Sequence, residues 1–507
     1  MQKKLITTAI PYMNGVPHIG HALEVILTDV IARGHRLLGD EIFFLTGADE
    51  HGSKIFKAAE TAGRDVMEML DENVAHFQDM NTALSISNDG YIRTTDREKH
   101  WPVVQALWMR LFEKGDIYKK NYAGWYCDRE ERFVTEEELD ENKCLKEGGA
   151  PTRWTEDENY FFKLSKYSNT IKAALLAGSG NSAEIPDGKT VRITPEFRQN
   201  EMIAMIGDGL EDVSFSRTKK QLTWGIPVPN DPEHVMYVWC DALTNYISGI
   251  STGNIEEDFK NWNCELHVIG KDIARFHCLT WIGMLLSAGI NLPKNILVHG
   301  FVNDKDGAKM SKSVGNVIDP HAMIAEYGSD TVRLYMTSEV GVGQDLNFSD
   351  ERIKSVHNDI LADSYGNLVN RVLSLWIAYR DKNEGITPSI PEPNSEITGN
   401  TKAAILWMLW AFWTQMAFTM IRNILKDGNN MLNTTEPWKK SGEEKGKLLV
   451  EGIVYVYYAT LLLSPFIPEA TKKVMEAMGI KEGTTLNDPI SIDLNTITKP
   501  EILFVKK

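Results

Sequence analysis

In the stretch PYMNGVPHIGHALEV, two histidines, His18 and His21, stand three residues apart where a turn gives way to an apolar periodic run. Residues three apart share one face of a helix, so both rings can meet the same ligand. A helix start also presents backbone N–H groups and the positive end of the dipole, which together favour an anion. Pro17 suits the first turn, and Gly20 lets a flat ring or a phosphate approach the backbone. Far along the chain, FVNDKDGAKMSKSVGN carries Lys309 and Lys312 in polar, glycine-bounded sequence that reads as a loop. Lysine is a point charge that can follow negative charge from a phosphate to a leaving group. Alone, the histidines read as core or surface residues and the lysines as a solvated pair. Together they point to chemistry on a nucleotide triphosphate.

These groups need elements to position them. KKLITTAIPY is apolar and β-branched and ends in proline, which predicts a strand. Leu23, Ile26, Leu27, Val30 and Ile31 follow at helical spacing, with Gly39 as the stop. EIFFLTGADEHG is then a short buried strand, completing a βαβ unit whose functional loops belong at the strands' C-terminal ends. The pattern returns in CELHVIGKD, a strand ending in Gly270 and Asp272, then in a helical stretch and the strand NILVHGFV. The expected fold is α/β: a Rossmann-type parallel sheet interrupted by an acidic insertion, followed by an α-helical bundle from about residue 356. Pro227 and Pro229 mark the return from the insertion, and no solenoid repeat is present.

At 507 residues, more than one domain is expected. The net charge of −16 argues against a generally cationic surface but leaves room for a local nucleic-acid patch. Five cysteines (Cys127, Cys144, Cys240, Cys264 and Cys278) form no C-x-x-C pair, which suits reduced thiols. With no secretory or transit pattern at the N-terminus, the cytoplasm is the expected location. Residues 403–421 carry no charge, but Thr414, Gln415 and Thr419 interrupt them and Trp407, Trp410 and Trp413 lie mid-run. A buried bundle helix, rather than a membrane span, is the expectation.

The two signatures, in this order, resemble the class I aminoacyl-tRNA synthetases. In detail, AIPYMNGVPHIGHALEVILTDVIARGHRLLGDEIFFLTGADEHGSKI, YVWCDALTNY, GKDIARFHCLTWIGML, HGFVNDKDGAKMSKS, GQDLNFSDERI and GNLVNRVLSLW resemble the methionyl-tRNA synthetase family over nearly the whole chain. The resemblance implies activation of methionine by ATP to methionyl-adenylate and pyrophosphate, then transfer to the 3′ end of tRNA(Met). Such a step needs alignment and charge neutralisation more than proton transfer. It assigns His18 and His21 to the phosphates and Lys309 and Lys312 to the departing pyrophosphate. Gly20, Glu24, Gly270, Asp272, Val302 and Lys312 are then ATP-binding, Asp272 being placed to accept from a ribose hydroxyl. Mg²⁺ comes with ATP, bound through the phosphates.

An aromatic pocket suits a thioether. Tyr12, Trp239, Tyr246, Phe276 and Trp281 supply rings, with Ile10, Ala242 and Leu243 beside them. Asp49 pairs with the substrate ammonium, and His277 reaches the thioether region. Homocysteine should compete, because an apolar pocket separates small size differences by only ~1–3 kcal/mol, and the resemblance has it disposed of by cyclisation in the same site. Asn367 and Arg371 share a helix face, Asn370 points elsewhere, and Trp438 beside two lysines suits stacking on a base; the resemblance implies that these residues read the CAU anticodon.

The implied division is 1–115 and 225–320 for the two halves of the catalytic domain, 116–224 for the connective insertion, 321–355 for a stem-contact region and 356–507 for the anticodon-binding bundle. Two departures from the family stand out. Relatives carry zinc on paired C-x-x-C knuckles, whereas only Cys127 and Cys144 remain here, too few for a tetrahedral site unless Asp128 or Glu130 completes one. No zinc is expected. The C-terminal tRNA-binding dimerisation module of some relatives is also missing, so a monomer is expected. The rivals are a class I synthetase for leucine, isoleucine, valine or cysteine, a small-acid adenylating ligase, and a catalytically silent tRNA-binding protein. The aliphatic three usually carry a larger editing insertion, and the cysteine enzyme a thiolate-binding metal. The ligase has no use for the bundle, and the intact signatures disfavour the silent protein.

Overall fold

The computed structural model describes residues 3–127, 132–146, 149–178, 188–308, 310, 316–383 and 388–507. Its main sheet has six parallel strands: β1 (Lys4–Thr8), β2 (Ile42–Ala48), β3 (Gly90–Arg93), β4 (Arg192–Thr194), β5 (Cys264–Gly270) and β6 (Asn295–His299). They lie in the order β3-β2-β1-β5-β6-β4. From β1 the chain moves one way to β2 and β3, and the other way to β5 and β6. The crevice beyond the C-terminal ends of β1 and β5 is therefore a topological switch point. Alternate residues face opposite sides: Ile6, Phe44, Val268 and Leu297 enter one core, and Leu5, Leu45, Ile269 and Val298 the other. Burial on both faces explains why these strands read as continuous apolar runs.

The edge strand β4 comes from inside the stretch read as insertion; three residues are too few to carry a period of their own. The rest of that stretch holds a separate sheet, with Ile117–Cys127 and Arg153–Phe162 as its long antiparallel pair. Helix α1 (Ile19–Leu37) crosses from β1 to β2. A methyl group at Gly34 of α1 would stand 3.0 Å from the side chains of Met408 and Leu409, so the helix packs directly on the C-terminal bundle. One apolar core runs from the α1 face of the sheet into that bundle.

The bundle comprises helices Asn367–Arg380, Ser395–Ile405, Thr414–Thr435, Gly442–Leu463 and Pro468–Met478. The uncharged stretch 403–421 is not one buried helix. Helix Ser395–Ile405 passes into a π-helical turn, Leu406–Trp410, and Phe412 at φ +57° breaks the chain before Thr414. Leu406 and Trp410 consequently face solvent, 55% and 69% exposed. Among the described residues, the helix long and apolar enough to span a bilayer is Gly442–Leu463, and 78% of its apolar window is buried as bundle core.

Candidate active site

The candidate residues gather at the C-terminal ends of the parallel strands. His18 caps α1: Gly20 N–H donates to His18 Nδ1 at 3.1 Å, and His18 N–H donates to His21 Nδ1 at 3.1 Å. Both Nδ1 atoms therefore accept, which places the ring proton of each on Nε2. The rings stack at 3.8 Å between centroids, with Phe77 edge-on to His21 at 5.0 Å. The sequence pattern predicts free backbone N–H groups here, and the structure corrects this. Ile19 N–H donates to Ile318 O, Gly20 N–H to His18, and the N–H groups of His21 and Ala22 to His18 O. The N–H groups from Ile19 to Ala22 are thus engaged within the protein, and the imidazoles add Nε2–H donors beside them.

The Ile19–Ile318 bond, at 3.1 Å, also ties the start of α1 to the chain just beyond the lysine loop. Lys309 and Lys312 lie outside the described residues. Lys312 precedes Ile318 by six positions, a span of at most ~20 Å of extended chain. Met310 and Ile318 both pack on the core that buries α1. The base of this loop is fastened by Asp304, whose Oδ1 accepts Ala308 N–H at 2.8 Å and whose Oδ2 accepts Asn316 Nδ2–H at 2.7 Å.

On the far side of the α1 turn, Glu24 Oε2 meets His299 Nε2 at 2.9 Å, while His299 Nδ1–H donates to Gly300 O at 2.7 Å. Burial lifts the Glu24 carboxyl above its usual range, against the pull of His299. Burial opposes a charge on His299, but the bond to Glu24 and its charge outweigh it and raise the ring's pKa. Gly270, the last residue of β5, sits beside them. A methyl there would stand 2.9 Å from Asp272 Oδ1 and 3.8 Å from His299 Cε1. Asp272 itself is exposed. Val302 is buried in a two-residue strand paired with Leu346.

On the β2 side, Asp49 N–H donates to Pro11 O at 2.9 Å and Asp49 O accepts Met13 N–H at 3.0 Å, which sets Tyr12 beside Asp49. Ile10 leans over Gly47, 2.9 Å from where a methyl would stand. Trp239 and Phe276 stack at 3.9 Å and 8°. His277 Nδ1–H donates to Ile273 O at 3.1 Å, so Nε2 accepts, and Tyr246 O–H donates to it at 2.6 Å. Burial holds the His277 pKa down at about 4, so the ring is neutral. Burial raises the Tyr246 phenol well above its ordinary range, and the negative charges of Glu24 and Asp49 push the same way. Ala242 and Leu243 are buried in helix Val238–Leu243. Trp281 is wholly buried behind Tyr246, donating to His267 Nε2 at 3.3 Å; it backs the wall. The π-helical turn Phe276–Trp281 lets adjacent Phe276 and His277 both join it.

In the bundle, the Arg371 guanidinium lies 5.5 Å from the Trp438 ring centre and donates to Asn433 Oδ1 at 2.9 Å. Trp438 is 42% exposed, Asn370 is exposed and Asn367 half-buried on the same helix. In the insertion, Cys127 is buried among Val134, Leu139, Leu145 and Ala150. Asp128 and Glu130 lie outside the described residues. Among the described residues, no group of three or more His, Cys, Asp or Glu side chains is arranged to hold a metal. The donors described there do not fit a tetrahedral zinc site.

Two parts of the site carry no sequence signal of the kind used above. His299 ends β6, where a ligand-facing residue is expected, but a lone histidine has no spacing to flag it. The other part is a buried relay in which Asp241 accepts from His51 Nδ1 at 2.6 Å and His100 Nε2 at 2.7 Å. It pins the helix bearing Ala242 and Leu243 to the loop bearing Asp49.

Fold and site define a class I tRNA synthetase, and the comparisons narrow the class. A family model described as tRNA synthetases class I (M) matches residues 4–147 and 134–373, and one described as the anticodon binding domain of methionyl tRNA ligase matches 408–506. The methionine–tRNA ligase of Mycobacterium tuberculosis is 40% identical over 494 residues, 94% of this chain and 92% of the relative. That of Thermotoga maritima is 39% identical over 95% of this chain and 76% of the relative. The solved structure of Mycobacterium tuberculosis methionyl-tRNA synthetase in complex with methionyl-adenylate superposes with a TM-score of 0.88 at 38% identity, covering 99% of this chain and 100% of that one. The chain belongs to the methionine–tRNA ligases.

Proposed function

We propose that this enzyme joins L-methionine to tRNA(Met) through methionyl-adenylate, releasing pyrophosphate and then AMP, and so serves translation initiation and elongation. In the first step the methionine carboxylate attacks the α-phosphate of ATP, which arrives as its Mg²⁺ complex. The nucleophile is already ionised, so the residues must align two anions and stabilise the leaving group. Asp49 receives the ammonium. The stacked Trp239–Phe276 pair and the neutral Tyr246–His277 pair offer ring faces, without charge, to the thioether. The Nε2–H groups of His18 and His21 hold phosphate oxygens, and Lys309 and Lys312 follow charge onto pyrophosphate. Asp272 accepts from the ribose, with Gly270 leaving space for the nucleoside and Glu24–His299 closing its side. In the second step a terminal ribose hydroxyl of tRNA attacks the mixed anhydride, while Arg371 and Trp438, with Asn367 and Asn370 nearby, meet the CAU anticodon. We assign the sheet to catalysis, residues 321–355 to the tRNA stem and the bundle to the anticodon, with 116–224 as a connective insertion, in a cytoplasmic monomer.

The observation that carries this reading is the Ile19–Ile318 hydrogen bond, which holds the end of the lysine loop to the histidine turn at the switch point of the sheet. ATP–pyrophosphate exchange, run with each amino acid in turn, tests it. Exchange should depend on methionine; exchange driven by leucine, or by none, rules the assignment out.

A further inference from the structure

The joint between sheet and bundle is built around a side chain that the chemistry above does not use. Arg333, in helix Ser329–Ser338, is wholly buried. Its Nη2 donates to Asp29 Oδ2 of α1 at 2.7 Å and to Pro465 O at 2.6 Å. Its Nη1 donates to Leu84 O at 2.9 Å, and its Nε to Phe466 O at 3.1 Å. Asp29 is equally buried; its Oδ2 also accepts Arg33 Nε–H at 2.7 Å, and its Oδ1 accepts Ser87 N–H and Oγ–H at 2.8 and 2.6 Å. Beside this pair, Asp330 accepts the N–H groups of Glu469 and Ala470 at 3.2 and 2.7 Å, seating helix Pro468–Met478.

A guanidinium is planar and presents its N–H groups in fixed directions. Four acceptors around it are therefore held in one mutual geometry, at a buried position where a directed bond is worth more than at the surface. These acceptors belong to three places: α1, the turn after helix Val66–Ala83, and the turn between helices Gly442–Leu463 and Pro468–Met478.

Two of those places belong to long helices, the middle of α1 and the turn just past the end of Gly442–Leu463. Along α1, Asp29 lies ~15 Å from the histidine turn. Helix Gly442–Leu463, with 22 residues and ~33 Å of length, begins just after Trp438 and ends just before Pro465. A tilt of ~5° at Arg333 would carry its Trp438 end by ~3 Å, given that length.

We propose that Arg333 is a positioning residue for methionyl transfer to tRNA. By clamping Asp29 to the Pro465–Phe466 turn, it sets the Arg371–Trp438 face at a fixed distance from the His18–His21 turn. The inference rests on the reading that this face meets the anticodon. Adenylate formation uses only the α1 side of the clamp and does not need the spacing.

Arg333→Lys keeps a positive charge beside Asp29 but cannot make four directed bonds. Methionine-dependent ATP–pyrophosphate exchange should stay within about twofold of the native rate, while kcat/KM for tRNA charging should fall by about 30-fold or more, because misplacement by ~1 Å alone can cost 10²-fold. Equal losses in both reactions, or undiminished charging, would overturn the proposal. A structural defect alone would move both together. If Arg333→Lys does not fold, Asp330→Asn loosens the same turn and must give the same split. The double variant with Trp438→Ala separates the two readings. Positioning predicts that it charges tRNA no worse than the weaker single variant, and losses that multiply would contradict positioning. If Trp438→Ala alone charges tRNA normally, the anticodon reading is what fails.

Discussion

Lowering the pH should loosen the aromatic wall through a single ring, His277. Unfolded, this imidazole titrates near its ordinary value of 6.5; folded, burial holds it down at about 4. Ile273 O takes Nδ1–H and Tyr246 O–H points at Nε2, so a second ring proton would face the phenol hydrogen. Between these values the folded chain binds fewer protons than the unfolded one. The stability contributed by the neutral ring is therefore complete above pH 6.5 and is lost as pH falls toward 4. At ~1.4 kcal/mol per unit, the loss between pH 8 and pH 5 comes to ~2 kcal/mol. His277→Gln puts a group that does not titrate in its place. Urea unfolding, followed by far-UV circular dichroism, should show the native chain losing ~2 kcal/mol more than the variant over that range. Burial, the larger cause, keeps the neighbouring His267 well below its ordinary value in both chains, and the remaining titrating groups are shared. Parallel pH profiles would show that His277 does not titrate as its surroundings require.

Gly270→Ala should raise KM for ATP about tenfold, the worth of one charge-assisted hydrogen bond, because the new methyl displaces Asp272 from 2.9 Å. KM for methionine should not change in the same exchange assay, since φ at Gly270 is an ordinary −71° and the wall is untouched. Asp304→Ala should release the Ala308 and Asn316 contacts at the base of the lysine loop. It should lower kcat for exchange by about fivefold through lost alignment, with methionine affinity, read by equilibrium binding, unchanged.

Much of the scaffold was legible because it rests on local periodicity. The β1–α1–β2 unit could be read from β-branched residues, helical spacing and turn residues. The C-terminal strand ends then located Asp49, Gly270 and Asp272 without coordinates. Local pattern fails where structure is set by distant partners. The edge strand β4 is three residues long and exists only because β6 pairs with it. The break at Phe412 needs a positive φ that no glycine announces. The backbone donors at the α1 start were misread because His18 satisfies its own helix, with the rest taken by Ile318. The Glu24–His299 pair, the His51–Asp241–His100 relay and the Arg333 clamp each join residues with no common spacing. Sequence alone assigns Glu24 a role through the family resemblance but gives no sign of its partner.

For the proposed chemistry, the histidine turn and the lysine loop must act on one triphosphate. A double-mutant cycle on His21→Asn and Lys312→Ala, measured as kcat/KM for ATP in methionine-dependent pyrophosphate exchange, addresses this directly. If both groups hold the same transition state, either loss alone already disables the clamp. The double variant should then retain at least about threefold more activity than the product of the single losses predicts, an interaction of ~0.5 kcal/mol or more. Losses that simply multiply would mean that the two segments do not share a nucleotide.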